Sequence, residues 1–366
     1  MDFQGQLSVS TEHPHPYHES LTLKNFTAFE EASFEFVPGI NVFIGENGTG
    51  KTHVMKVLYG IQTLVSDFRA RKRRSSVDLT EVFGAYSQEE LFRVSDTLED
   101  RVGEIAGAFG GRNWAYPFSP ESSEFSFYAE LAAFFGTHPI DLFESGWASA
   151  VYIPSINMIA HTEGFLSTFE RFDIDFDRTT RDIVVYLLSP ELRSSEVFIW
   201  EEISNQLQAL LPGNVVLEGE RFFVSVGKSL LSMPLVAEGS QKIATLDRLL
   251  RVGALEPGTT LFWDEPEVGL NPKLMDELVK ALILLARSGV QIFLTTHSYV
   301  ILKELDLQIA EDDPIRYFLF EPTESSGTKV TPFDTLAEVH PNPILEQYND
   351  LYDREITRKT GRKKAQ

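Results

Sequence analysis

Apolar and polar positions change period several times along this chain, and each change marks an element. Residues 20–26 alternate apolar with polar, the period of a strand with one buried face, and residues 32–37 repeat that texture as a hairpin partner. Pro38-Gly39 is a turn, and Ile40-Asn41-Val42-Phe43-Ile44 reads as a buried strand. A helical pattern runs from Lys51 to about Phe68. Residues 75–150 hold scattered aromatics, glycines at 84, 103, 107, 110 and 111, and Pro117 and Pro120. They predict an inserted lobe of short strands and one or two helices, and Ala148-Ser149-Ala150-Val151-Tyr152-Ile153-Pro154 predicts a strand returning to the core. Residues 160–212 read as mainly helical, with apolar faces at 183–188, 197–203 and 207–211. Residues 215–217 and 222–226 alternate like strands around a Glu218-Gly219-Glu220 turn. From Leu235 to His297 the order is helix, strand, helix, strand, which predicts a parallel sheet covered by helices. No internal repeat occurs, and no heptad run lasts long enough for a coiled-coil arm.

The strongest chemical signal sits where the buried strand at 40–44 meets the helix at 51. Gly45-Glu46-Asn47-Gly48-Thr49-Gly50-Lys51-Thr52 matches the phosphate-binding pattern GxxxxGK[ST] in full, in the strand–loop–helix context that the pattern requires. Its glycines let the backbone wrap a phosphate closely. The N–H groups of Asn47, Gly48, Thr49 and Gly50 and the helix N-terminus then face the anion. Lys51 is expected on the β- and γ-phosphates, and the Thr52 hydroxyl on Mg²⁺. A second signal is the strand Thr259-Thr260-Leu261-Phe262-Trp263, which ends in Asp264-Glu265-Pro266-Glu267. This is the Walker B form. A carboxylate at the C-terminal end of a parallel strand sits where open α/β sheets bind ligands. Asp264 is expected to hold Mg²⁺ directly or through water, and Glu265 to act as the general base on an attacking water.

Composition narrows the classes. The chain has 366 residues, enough for two domains or one large domain with insertions, and 43 % hydrophobic residues, enough for a sizeable core. No apolar run approaches the ~20 residues of a membrane span. The N-terminus, with Glu12 among His and Pro, does not resemble a signal peptide. Cysteine is absent, so there are no disulfides and no thiolate chemistry. The expected location is the cytoplasm, with no membrane partner. A net charge of −22 argues against a duplex-coating protein, because DNA affinity rests on basic residues. Two basic runs stand out: Arg69, Arg71, Lys72, Arg73 and Arg74, and the tail Arg358, Lys359, Arg362, Lys363 and Lys364. Each fits a solvated helix face or frayed terminus, or a contact with nucleic acid or an acidic partner.

The pieces, in this order, resemble the ABC-type P-loop ATPases. Val268-Gly269-Leu270-Asn271-Pro272 looks like the family's D-loop, and Gln291-Ile292-Phe293-Leu294-Thr295-Thr296-His297-Ser298 like the strand that ends in its switch histidine. The resemblance implies ATP and Mg²⁺ as ligands, with His297 hydrogen-bonding the γ-phosphate or the attacking water. At the place of the family signature stands Leu235-Val236-Ala237-Glu238-Gly239-Ser240-Gln241-Lys242, with Ala237 where the family has serine and Glu238 where it has glycine. Gly239 and Ser240 are expected to keep a tight turn and a hydroxyl at a helix start, an anion-friendly geometry. In the family this element contacts the γ-phosphate bound to the other subunit, which implies a head-to-tail sandwich, hence a homodimer or a larger even-numbered assembly. Glu238 has to point away from that phosphate or pair with a base such as Lys242. The Q-loop glutamine is not evident: Asn157 fits its place, and Gln62 and Gln88 are alternatives.

Leu23-Lys24-Asn25-Phe26 ahead of the P-loop resembles the SMC, RecF and OLD group rather than a transporter ATPase. Tyr152-Ile153-Pro154, Glu163-Gly164-Phe165-Leu166 and Phe176-Asp177 resemble stand-alone bacterial AAA/ABC-type ATPases of that group, many of them in anti-phage modules. The expected fold is α/β: a mixed, mostly parallel sheet with helices on both faces, plus an inserted α+β lobe and a helical lobe. The expected division is a flexible N-terminus (1–19), a first part of the nucleotide-binding core (20–74), the inserted lobe (75–147), a return strand and helical lobe (148–234), the second part of the core (235–310) and a C-terminal extension (311–366). No SMC-type arm is expected, and the residues after His297 are too few for a fused TOPRIM nuclease. The resemblance therefore implies an ATPase whose dimer state controls a separate effector, a toxin or nuclease. A RecF-like DNA-repair ATPase and a nucleotide-locked scaffold or inhibitor are the alternatives.

Overall fold

A computed structural model of the protein describes residues 16–69, 79–93, 102–118, 149–172, 174–192, 201–323 and 327–360. Strands β1 (His18–Phe26) and β2 (Phe29–Glu35) form the hairpin read from the alternation. The buried strand β3 (Ile40–Gly45) leads through the P-loop into α1 (Lys51–Arg69). Asn41, polar in an apolar run, exchanges hydrogen bonds with both backbone groups of Val37 and so closes the turn that feeds β3. After the short α2 (Leu79–Phe83), β4 (Gly103–Phe109) and β5 (Arg112–Phe118) continue the first sheet in the order β2-β1-β4-β5. Part of the lobe expected at 75–147 is thus woven into the sheet of the N-terminal hairpin. The physical reason is that β1 alone leaves one edge unpaired, and β4 satisfies it in antiparallel register from His18 to Lys24. The N-terminal segment placed at 1–19 is also too long, because His18 is fully buried and its backbone is held by the Gln291 side chain.

Strand β6 (Ala150–Ile153) returns to the core as expected. Helices α3 (Phe165–Arg171), α4 (Arg178–Leu188) and α5 (Glu201–Ala209) follow, then a small meander of β7 (Asn214–Glu218), β8 (Arg221–Val226) and β9 (Ser229–Ser232). Part of the apolar face expected at 197–203 lies outside the described residues. The second core segment is α6 (Glu238–Arg251), β10 (Thr260–Trp263), α7 (Pro272–Arg287), β11 (Gln291–Thr295) and α8 (Tyr299–Gln308). Asn271 caps α7 ahead of Pro272, and Ser298 caps α8, so both helices start where the sequence punctuates them.

The main sheet has the order β13-β12-β3-β11-β10-β6, where β12 is Ile315–Pro322 and β13 is Thr328–Phe333. All its pairings are parallel except β12 with β13. This corrects the boundary at 310/311: β12 pairs directly with the P-loop strand β3 and belongs to the core. The four consecutive buried residues Tyr317, Phe318, Leu319 and Phe320 carry it there, as expected of a strand covered on both faces. The last element among the described residues is α9 (Pro343–Thr360), which carries Arg358 and Lys359. Arg362, Lys363 and Lys364 of the tail, and Arg71, Lys72, Arg73 and Arg74 of the first basic run, lie outside the described residues.

Period-two alternation sorts the main sheet's side chains by type. Ile40, Val42, Ile44, Leu261, Trp263, Ile292 and Leu294 face the helices α4 to α8. Phe43, Tyr152, Phe262, Phe293, Phe318 and Phe320 face α1 and the antiparallel sheet. Tyr152, Phe262 and Phe293 stack in sequence across β6, β10 and β11, with centroids 6.2 and 5.1 Å apart. Each buried ring contributes roughly 1.5–3 kcal/mol by area. Among the described residues one face of the sheet is therefore covered by helices, the other by α1 and α2 together with a second sheet.

The helical lobe is tied to the P-loop helix by charge. Asp177 caps α4, accepting from the Thr180 N–H, and binds Lys56 of α1 at 2.6 Å. Burial pushes the Asp177 carboxyl up, but Lys56, Thr179 and Thr180 together hold it below its usual 3.8. A depressed carboxyl stabilises the fold above its unfolded value, and that contribution is lost as pH falls through the folded value. Asp177→Asn is expected to lower stability by about 1–3 kcal/mol at neutral pH. Denaturant titrations should show the gap to wild type closing below pH 4; a gap independent of pH would contradict the ion-pair origin.

Candidate functional site

The loop between β3 and α1 is shaped by its glycines. Gly48 and Gly50 take φ of 79° and 87°, in the left-handed region. A Cβ on Gly50 would lie 2.7 Å from the Phe29 ring, whereas the space around Gly48 is open. The P-loop is thus seated against the tip of the β1–β2 hairpin on one side and free on the other. Lys51 is buried, and its ammonium donates to the carbonyl oxygens of Gly45 and Glu46 at 2.9 and 2.6 Å. Burial lowers its pKa to about 8, against the opposing pull of Glu265, Asp264 and Glu46.

Strand β11 lies between β3 and β10, so the two motifs meet across its C-terminal end. The Asp264 carboxylate accepts from the Thr52 hydroxyl at 3.2 Å and from the Thr295 hydroxyl at 2.6 Å. Thr295 also accepts from the Glu265 N–H at 3.0 Å. Glu265 has φ of 48°, unusual for a residue with a side chain and worth of order 1–3 kcal/mol of strain. Its Oε1 lies 3.5 Å from Nε2 of His297, with both side chains one-third exposed. Burial and then Lys51 lower the His297 pKa, while Glu265 and Asp264 oppose them. Glu267 accepts from the His297 N–H at 2.6 Å and the Thr296 hydroxyl at 2.9 Å, and burial raises its carboxyl. The turns after β10 and β11 are therefore locked together.

Lys51, Thr52, Asp264, Glu265 and His297, predicted from separate stretches, come together at one end of the sheet. Thr295, Glu267 and Lys242 join them without having been anticipated. For Thr295 the available signal was a hydroxyl closing an otherwise apolar strand; for Glu267 it was a third acid at the Walker B turn. Lys242 is 1 % exposed and donates to the Glu265 carbonyl at 2.8 Å. It does not take up Glu238, as had been one option.

Gly239 and Ser240 stand at a helix start, as expected, but without the expected tight turn. Both lie inside the first turn of α6, which begins at Glu238 after Ala237, a cap residue without a side-chain bond. The reason is packing: a Cβ on Gly239 would meet the Gly269 carbonyl and Leu270, so glycine here admits a close neighbour rather than a bend. Glu238 itself lies against Gly269, where a Cβ would come 2.8 Å from its own Cβ. Asn157 donates to the Glu238 carbonyl at 3.5 Å. Gln62 is buried between His18 and Ser149, and Gln88 sits in a short 3₁₀ turn, so of the three Q-loop candidates Asn157 alone touches the signature helix.

The Thr52 hydroxyl and the Asp264 carboxylate are hard oxygen donors within 3.3 Å of each other, a pair that suits one Mg²⁺. No cluster of three or more His, Asp or Glu suited to a metal occurs among the described residues.

A protein-family model described as "AAA domain, putative AbiEii toxin, Type IV TA system" matches residues 40–303, well over half of the chain. The DNA replication and repair protein RecF of Streptococcus gordonii is 33 % identical over 87 residues, 24 % of this chain and 22 % of RecF. RecF of Halalkalibacterium halodurans is 42 % identical over 55 residues, 15 % of each chain. The chain thus matches about a fifth of the length of these relatives. Among solved structures, the Smc head domain of Pyrococcus furiosus bound to the C-terminal domain of ScpA superposes with a TM-score of 0.49 at 12 % identity. That match covers 93 % of this chain and 99 % of the other. MJ1267, an ATP-binding cassette of an ABC transporter, gives 0.41 at 13 % identity, covering 91 % and 99 %.

The two loop glycines separate conformation from packing. Gly48→Ala is expected to destabilise by roughly 1–2 kcal/mol, from backbone strain alone. Gly50→Ala is expected to cost about 3 kcal/mol or more, because strain and the Phe29 clash combine. Equal losses in chemical denaturation would show that the ring contact does not constrain the loop.

Proposed function

The chain belongs to this AAA-domain family, within the ABC-type P-loop ATPases of the SMC/RecF group, and from that premise we propose that it binds and hydrolyses ATP. The observation that carries the proposal is the convergence of Lys51, Thr52, Asp264, Glu265 and His297 at the C-terminal ends of three adjacent parallel strands. In this reading the N–H groups of residues 47–50 and the Lys51 ammonium bind the phosphates. Thr52 and Asp264 hold Mg²⁺, which would neutralise charge on the β- and γ-phosphates. Glu265 takes the proton of a water that attacks the γ-phosphorus, the bond to the β,γ-bridging oxygen breaks, and ADP and phosphate leave. His297, its pKa lowered, hydrogen-bonds that water or the γ-phosphate in the neutral form.

The same reading extends to assembly. Ile156, Leu235 and Val268 are 51, 73 and 43 % exposed. They border the start of α6: Leu235 precedes it, and the neighbours Asn157 and Gly269 both touch Glu238. An exposed apolar rim at this place supports a head-to-tail sandwich in which Gly239 and Ser240 approach the nucleotide of a second copy. ATP drives such closure only by binding the closed dimer better than the open one. The dimer state would control a separate effector, a toxin or nuclease, in an anti-phage module, and the family description, which names a putative toxin and a type IV TA system, supports a toxin–antitoxin setting. Among the described residues no helix is long and apolar enough to cross a membrane. Use of ATP supports a cytoplasmic site.

The RecF similarity favours a second reading, a DNA-repair ATPase that grips DNA through the run at Arg69–Arg74 or the basic tail. DNA-stimulated hydrolysis that falls steeply with salt would support it, and no DNA binding at low salt would exclude it.

Lys51→Ala is expected to abolish hydrolysis. Glu265→Gln is expected to bind ATP while losing about 10²–10⁴ in turnover. With Mg-ATP its solution mass should rise to a dimer or larger even-numbered assembly, and a constant mass would refute the sandwich.

A further inference from the structure

Lys242 is a buried cation near the start of α6. Its neighbours along α6, Ile243, Leu246, Leu249 and Leu250, are apolar and belong to the main core. Burial pulls the Lys242 pKa down to about 8, and Glu267, Glu265, Asp264 and Glu238 pull against it. Its ammonium meets one main-chain acceptor, the carbonyl of Glu265. That carbonyl also accepts from the Val268 N–H at 3.2 Å, which closes the turn upon itself. The lysine uses the remaining lone pair and ties the turn to α6.

Glu265 is one of three non-glycine residues with positive φ among the described residues. Such a conformation persists only where its surroundings over-determine it. Thr295 fixes the N–H of Glu265, and Lys242 and Val268 fix its carbonyl. Pro266, which follows, has no N–H to contribute.

We propose that Lys242 is a positioning residue for hydrolysis: by holding the Glu265 carbonyl it keeps this residue left-handed, with its carboxylate beside His297. The inference rests on the reading of Glu265 as general base. It also makes α6 the arm through which contact at the Leu235 end of that helix reaches the general base, because Lys242 lies only one helical turn into α6.

The test uses single-turnover hydrolysis and equilibrium ATP binding on the full chain. Lys242→Met keeps the length of the stem but removes the donor. It is expected to lower the hydrolysis rate about 100-fold, the effect of a misplaced catalytic group, with ATP affinity unchanged. Lys242→Arg, which keeps a donor, should recover most of the rate. In a Glu265→Gln background Lys242→Met should add no further loss, because two residues that act through one group are not additive. Wild-type turnover in Lys242→Met, parallel loss of affinity and rate, or full additivity would each overturn the proposal. If Lys242→Met does not fold, Lys242→Leu, which also lacks a donor, replaces it and is judged by the same three outcomes. Loss of turnover in Glu265→Gln but not at position 242 would remove this inference alone, whereas wild-type turnover in Glu265→Gln would remove the general-base reading with it.

Discussion

The Asp264 carboxylate, held between the hydroxyls of Thr52 and Thr295, is the interaction on which the site depends. It joins three strand ends that are adjacent in space and distant in sequence. Because β11 separates β3 from β10, the P-loop and the Walker B acid stand two strand spacings apart, roughly 10 Å. Thr52, from beyond β3, and Thr295, from the intervening β11, both reach the one carboxylate. Both hydroxyls are needed, since a part-buried carboxylate without donors costs several kcal/mol. Thr295 does more, because its oxygen also accepts from Glu265 and so fixes the entry to the left-handed residue. The Asp264 carboxylate and the Glu265 backbone are therefore set by the same side chain from the intervening strand.

Charge around this centre is arranged against its own burial. Lys51 and Lys242 both fall to about 8, His297 is lowered and Glu267 is raised. Each shift follows from desolvation, which disfavours whichever form is charged. The two lysines bond to main-chain carbonyls rather than to acids, Lys51 on its own loop and Lys242 on the Walker B turn. They thereby leave the acid oxygens to the hydroxyls and to His297. A polyphosphate offers Lys51 an anion in place of neutral carbonyls, so its charged form gains from ligand entry.

The fold was legible wherever a single periodicity governed a segment. The P-loop strand and helix, the hairpin, and the alternation from 235 to 297 appear where the pattern put them. Long-range pairing was less visible. Residues 317–320 announce a buried strand, but nothing local says that its partner is β3, nearly three hundred positions earlier. The pairing of β4 with β1 is hidden for the same reason. In the site, motifs named the residues that face a ligand, because ligand chemistry restricts their type. Thr295 and Lys242 face other protein groups, which restrict position more than spacing does. Gly239 was misjudged because glycine serves both turns and close packing, and only the neighbouring Gly269 and Leu270 decide between them.

The signature region departs from its family at Ala237 and Glu238, and yet it is tied closely to the catalytic turn. The ties run largely through backbone: Lys242 to the Glu265 carbonyl, Asn157 to the Glu238 carbonyl, and Gly239 beneath the Gly269 carbonyl. A carbonyl is present whatever side chain the residue carries. Replacement of serine and glycine at 237 and 238 therefore leaves the link from α6 to Glu265 intact. What those two positions do alter is the surface offered outward at the start of the helix. The link to Glu265 and the surface at the start of the helix thus rest on separate groups of the same helix, and one can diverge while the other is kept.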